Sequence, residues 1–327
     1  MGKSSMVGMM NSNISLTYLT LRFWAISRGE GTLPSFPGPT IRGAFGLSLR
    51  RIVCHLTHST ADCNTCILKG SCAYSVIFEG IPPANRIYLR KYPRIPQPFV
   101  LLIEPQKQRI TLKPNQYFTF GLRLFGPATT LYPYVIQATI SMLKRGLGKE
   151  RVPLILEKVC DEQGNLIFQN GNTFIATIHP NTLTMDDKVS QSIKQIRIAF
   201  QTPTRLLVNG KLSRAPTLEQ ILRAMVRRVR ILLAFYGKGA IPDVPKNLLD
   251  ATRLSRPVND MLHPFHVFRY SGRQKRQMTF KGFIGECTYD WHANDINPEI
   301  WLRAASLVHI GKATSIGFGR IDYEVIE

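Results

Sequence analysis

Acidic side chains are scarce in this 327-residue chain: 21 Asp plus Glu stand against 42 Lys plus Arg, a formal charge of +21. The few carboxylates form no cluster at metal-ligand spacing, which argues against a nuclease that works through carboxylate-held ions. So positive a surface repels itself unless an anionic partner is present, nucleic acid first and an anionic membrane second. A long apolar run free of charge is also missing. The most apolar stretch, Ile221 to Phe235, carries Arg223, Arg227, Arg228 and Arg230, too many charges for a lipid-buried helix. Met1 to Asn13 holds one basic side chain and no apolar segment of signal-peptide length, and Met6 stands where a myristoylation signal needs Ser or Thr. These absences predict a soluble cytoplasmic protein with no membrane partner. In that compartment the six cysteines are expected as thiols or metal ligands rather than disulfides.

What is present is a repeated order of elements. In the second half, Lys194 to Phe200 alternates like a half-buried strand, and Pro216-Thr217 opens a helix with apolar residues at Leu218, Ile221, Leu222, Met225, Val229 and Leu232. Two strand-like runs follow, Pro264 to Tyr270 and Met278 to Tyr289, joined by a polar hairpin link. A helix at Pro298 to Val308 and a strand at Ile316 to Ile326 close the unit. The first half repeats the order: strand Ile14 to Ala25, helix from Pro39-Thr40 to Val53, strands Phe99 to Glu104 and Gln116 to Phe125, helix Leu131 to Lys144, strand Val152 to Val159. The pattern β-α-β-β-α-β, twice, predicts an α+β protein of two tandem ferredoxin-like domains. The expected bounds are 1–185, with a cysteine-rich insertion at 54–72 and a basic loop at 86–98, and 194–327, with a glycine-rich loop near its end. Residues 160–193 read as an appended hairpin and a linker.

That loop reads His309-Ile-Gly-Lys-Ala-Thr-Ser-Ile-Gly-Phe-Gly319-Arg320. Glycine admits positive φ and close approach of backbone N–H groups to a phosphate. A Walker loop follows a strand and opens a helix, whereas here a helix precedes and a strand follows, which argues against an NTPase. With Phe200-Gln-Thr-Pro-Thr-Arg-Leu206, the Arg-bearing helix 218–235, Tyr270-Ser-Gly-Arg-Gln-Lys-Arg276 and Phe280-Lys-Gly-Phe-Ile-Gly285, this loop resembles the CRISPR-associated endoribonucleases of the RAMP superfamily, which process precursor CRISPR RNA. The resemblance covers about the last 130 residues and, more loosely, Phe36-Pro-Gly-Pro-Thr-Ile-Arg-Gly-Ala-Phe-Gly46 and the cysteines. It implies paired ferredoxin-like folds, with Gly311, Lys312, Ser315, Gly317 and Gly319 shaping an RNA-binding surface.

Two basic loops fit the same partner. Arg86, Tyr88, Arg90, Lys91 and Arg94 interleave cations with aromatics, suited to phosphates and unpaired bases. Arg273, Lys275 and Arg276 lie at a hairpin tip that suits an RNA stem. Cys54, Cys63, Cys66 and Cys72 could close a tetrahedral thiolate site. Structural zinc leads, an iron–sulfur cluster and plain buried thiols are the alternatives, and His55 or His58 could stand in for a thiolate.

The chemistry implied by the resemblance needs no catalytic metal. The RNA's own 2′-hydroxyl attacks the adjacent phosphorus, leaving a 2′,3′-cyclic phosphate and a 5′-hydroxyl. Such a site needs a base, an acid and cations. In much of the family a catalytic histidine sits in or near the first helix. That neighbourhood holds His55 and His58, with Arg50 and Arg51 as phosphate clamps; His309, beside the glycine-rich loop, is the next candidate. The competing readings are a non-catalytic RNA-binding RAMP subunit of a CRISPR effector complex, with its other subunits as partners, and a zinc-containing DNA-binding protein.

Overall fold

The computed structural model describes residues 14–54, 56, 62–169, 178–185, 193–244, 246–271, 276–292 and 296–326. The first half runs β1 (Ser15–Ser27), β2 (Gly31–Leu33), α1 (Gly38–Val53), β3 (Phe99–Leu102), β4 (Ile110–Leu112), β5 (Tyr117–Phe125), α2 (Tyr132–Arg145), β6 (Leu154–Cys160), β7 (Leu166–Gln169) and β8 (Asn181–Thr184). The second runs β9 (Gln195–Thr204), β10 (Leu207–Val208), β11 (Lys211–Leu212), α3 (Leu218–Tyr236), α4 (Lys246–Leu254), β12 (Pro257–Ser271), β13 (Arg276–Asp290), α5 (Glu299–Val308) and β14 (Ile321–Ile326).

Each half closes the expected sheet. The first has the order β3-β5-β1-β6, extended by β7, with β8 also pairing β1; the second has the order β12-β13-β9-β14. All these pairs are antiparallel. Both are the ferredoxin-like arrangement, in which the first and third strands of the motif lie side by side at the centre. Alternation along β1 explains its two faces. Leu19, Leu21, Phe23 and Ala25 are buried against α1 and α2, while Arg22 and Trp24 point to the other side. Helix α3 begins where predicted because Thr217 accepts a hydrogen bond from the Gln220 N–H.

The halves interlock through their cores. Leu16, Val100 and Phe125 of the first half pack into the second half's cluster, while Ile316 and Phe318 of the second half pack into the first's. Phe318 is fully buried, its ring 5.4 Å from that of Phe36. Burial of such a side chain stabilises by about 1.5–3 kcal/mol.

Three boundaries depart from the sequence reading. The hairpin strands are longer than expected, because the ladder runs unbroken from Asn259↔Thr288 to Ser271↔Arg276. Pro257 and Pro264 are tolerated there because β12 is an edge strand. The last strand starts at Ile321 rather than Ile316, since Thr314–Ile316 forms a 3₁₀ turn. Helix α4 was not predicted; its short amphipathic pattern lies in a segment without an evident cap. Among the described residues no helix is long and apolar enough to cross a membrane.

Candidate nucleic-acid interface

The glycine-rich loop is a tightly tied turn. His309, Gly311, Ala313, Gly317 and Gly319 all have positive φ. The loop's amides are largely spent inside the protein: Ile310 N–H donates to Gly319 O (2.8 Å), Lys312 N–H to Arg205 O (3.0 Å) and Gly319 N–H to Pro203 O (3.0 Å). The expectation that its backbone donors meet a phosphate is therefore corrected for these three; what they do is fix the loop's shape. The exposed side chain of Lys312 remains for a ligand.

Helix α1 docks on this loop. A Cβ on Gly38 would lie 1.9 Å from Ile316 O, so only glycine lets the helix start so close. One turn on, Arg42 Nε donates to Ser315 Oγ (3.1 Å), and its guanidinium lies 4.4 Å from the centroid of the Phe78 ring. A guanidinium is thus fixed where the two halves meet, with the cations of Arg50 and Arg51 in the last turn of the same helix. Arg42 was not singled out from sequence as a site residue. It lies in the loosely matching run Phe36–Gly46, and its spacing on α1 beside Gly38 was the available signal.

The basic loop is partly self-bound. Arg86 donates to the carbonyls of Arg90 (3.0 Å) and Tyr92 (2.7 Å), and Arg94 bonds Asn64 (3.0 Å) and pairs with Glu79 (3.2 Å). Arg90 and Lys91 are exposed, and Tyr88 is half-buried. The structure therefore assigns Arg86 and Arg94 to holding the loop and leaves Arg90 and Lys91 facing out. His55, His58, Arg273 and Lys275 lie outside the described residues, as does the side chain of Arg276.

The cysteine expectation is not met in the geometry. Among the described residues no group of three or more His, Cys, Asp or Glu side chains is placed to hold a metal ion. Cys54, Cys63, Cys66 and Cys72 are free and half-buried. Cys63 and Cys72 pack against the first core as small apolar side chains. Burial, with Glu79 nearby, pushes the Cys63 thiol up.

His309 is fully buried beneath the loop. Its Nδ1 lies 3.0 Å from Phe318 O, so Nδ1 carries the hydrogen of the neutral ring. Burial, and then the charges of Arg123, Arg320 and Arg228, hold its pKa well below the ordinary 6.5. The contact that this ring makes with Phe318 O helps to set the loop's shape. Since the folded pKa is depressed, the unfolded chain binds the proton more tightly. Stability is therefore complete above about pH 6.5 and falls as pH drops below it. Urea midpoints should fall between pH 7.5 and 5.5, and His309→Asn should flatten that slope; an unchanged slope would contradict the assignment.

Arg123 spans the halves. Its guanidinium donates to Thr20 Oγ1 (2.8 Å), to Leu307 O on α5 (2.9 Å) and to Glu162 (2.6 Å). Burial lowers its pKa, against the pull of Glu162. A buried arginine so fully satisfied is a structural tie.

Comparison with known proteins agrees with this geometry. Residues 16–182 match the N-terminal domain family AF_1859_N, and residues 198–321 match the family described as CRISPR-associated endoribonuclease Cas6. An uncharacterized protein of Archaeoglobus fulgidus is 24% identical over 310 residues, 95% of this chain and 98% of that one. Among solved structures, Thermus thermophilus Cas6 superposes with a TM-score of 0.54 at 14% identity, covering 94% of this chain and 99% of that one. A Cas6 product complex gives 0.53 at 17% identity, with the same coverage. At such identities the likeness is one of fold, and that fold is the tandem ferredoxin-like pair.

Proposed function

Because this chain belongs to the CRISPR-associated processing endoribonucleases of the RAMP type, with an AF_1859-type N-terminal domain before its Cas6 domain, we propose that it cuts CRISPR repeat RNA by attack of the RNA's own 2′-hydroxyl. The observation that carries the reading is the junction of α1 with the glycine-rich loop. There the fixed guanidinium of Arg42 and the exposed Lys312 flank one surface. RNA bound across it meets an excess of cations, in keeping with the net charge of +21.

In the proposed step the 2′-oxygen forms a bond to phosphorus and the bond from phosphorus to the 5′-oxygen breaks. The 2′-proton passes to a base, for which His55 or His58, just past the end of α1, are the candidates. The 5′-oxygen takes a proton from water as it leaves, so that the proton accepted by the base is returned to solvent and the step balances. Arg42, Arg50, Arg51 and Lys312 offset the charge that builds on the phosphate oxygens. His309 acts through the loop it holds. Arg90 and Lys91 contact the backbone of the flanking RNA, and the protein works in the cytoplasm. No metal enters the step.

Repeat RNA incubated with the protein in excess EDTA tests this reading. The expected result is a single cut leaving a 2′,3′-cyclic phosphate and a 5′-hydroxyl. Loss of cutting in chelator while binding persists would overturn the metal-free step. Binding with no cutting under any condition would favour a non-catalytic subunit of an effector complex. Affinity should also fall steeply with salt: six to ten phosphate contacts correspond to a loss of about 10³–10⁵ between 50 and 200 mM. A salt-insensitive interaction would remove the electrostatic argument.

A further inference from the structure

The first sheet has a face that its own helices do not cover. On it, Trp24 of β1 stands between Thr119 of β5 and Lys158 of β6, and Arg22 stands beside Gly121. Lys158 Nζ lies 5.1 Å from the centroid of the indole, fixing the ring on the β6 side. On the β5 side the neighbours are small, and the sheet there opens into a cleft of about 330 Å³ between the halves. That is the lower end of the range for small-molecule sites, about 300–1,000 Å³. Arg22, Trp24, Thr119 and Gly121 line it from the first half and Arg320 and Asp322 from the second, whereas Lys158 does not. Fully buried His309 lines it too, and its Nε2 has no hydrogen-bond partner among the described residues.

An aromatic ring on an uncovered sheet face, with a cation beside it, is a stacking platform for an unpaired base. The polar rim indicates how the base would lie. Carboxylates repel phosphate but accept hydrogen bonds from exocyclic amino groups. Asp322 and Glu104, both exposed and the latter paired with Arg320, therefore suit the base edge, while exposed Arg22 suits the phosphate. We propose that this cleft is a second RNA site, lined by the two ends of the glycine-rich loop rather than by its contact with α1, and that it seats one unpaired, amino-bearing base stacked on Trp24. The proposal extends the RNA-processing reading by naming a separate contact that holds the unpaired part of the substrate.

The test uses the full chain and short RNAs with no repeat stem to cut, so its result does not depend on whether cleavage occurs. Trp291 and Trp301 are each only 3% exposed, which leaves half-buried Trp24 as the reporter of a ligand at the surface. Tetracytidylate should quench the tryptophan fluorescence of the parent protein, and Trp24→Phe should abolish the quench while keeping a stacking ring. Trp24→Ala should weaken binding about 10-fold, within the range for loss of a stacking aromatic. Arg22→Glu, at an exposed position that leaves the fold intact, should weaken it as well. Tetrauridylate, which presents a carbonyl in place of the amino group, should bind more weakly. A quench that survives Trp24→Phe, or parental affinity in both Trp24→Ala and Arg22→Glu, would overturn the site. Equal affinity for the two tetranucleotides would overturn the amino-base assignment.

Discussion

A repeat RNA carrying one 2′-deoxy sugar immediately 5′ of the scissile phosphate is expected to bind as tightly as the parent and to be cut at least about 10⁴-fold more slowly. The substitution removes a single oxygen. In the proposed step that oxygen is the nucleophile, and loss of an enzyme's nucleophile can cost about 10⁶ in rate. The same substitution one nucleotide away should change little, so a walk along the repeat locates the cut. Uniform slowing along the strand, or none, would refute 2′-hydroxyl attack, since a water-driven hydrolysis does not require that atom. Replacement of the base is the companion measurement. His55→Ala or His58→Ala, whichever residue takes the proton, should slow the cut by about 10²–10⁴ with little change in affinity. Parental rates in both would exclude them.

The largest stability effect should come from a single methyl group. Gly319 has φ +75°, and a Cβ there would lie 1.9 Å from Ile310 O. The carbonyl cannot retreat easily, because Gly319 O accepts from the Ile310 N–H at 2.8 Å in the same turn. Gly319→Ala therefore adds left-handed strain of about 1–2 kcal/mol to an overlap of about 1–3 kcal/mol. A loss of about 2–5 kcal/mol should appear as a lower urea midpoint. Gly43→Ala is the contrast. It lies within α1, where an added Cβ meets nothing within 4 Å, and a helical glycine costs about 0.8–1.0 kcal/mol relative to alanine. That variant should gain stability. If the two shift the midpoint in the same direction, the loop is not the rigid turn described.

Much of the fold could be read from the chain because its strands obey simple alternation and its helices open on Pro or Thr. The duplication followed from two copies of one element order, and sheet orders β3-β5-β1-β6 and β12-β13-β9-β14 bear it out. Less of the site was legible. Arg42 lies in a run that carried only a loose likeness, and its value comes from Ser315, 273 positions away. His309 could be placed beside the loop but not beneath it, since full burial depends on how both halves close. Arg86 and Arg94 read as free cations because a sequence shows charge and not the carbonyls of Arg90 and Tyr92, or Glu79, that occupy it. The four cysteines had metal-like spacing, and yet two of them pack as apolar groups against the first core.

Those two bonds from Arg86 have a further consequence. A loop that waits limp for its ligand must surrender its freedom at the moment of capture, and that loss is subtracted from affinity. Here a guanidinium already cross-links the turn around Leu89, and Arg94 tethers its exit to Asn64. The entropy has been given up during folding, so Arg90 and Lys91 present their charges on a prearranged scaffold.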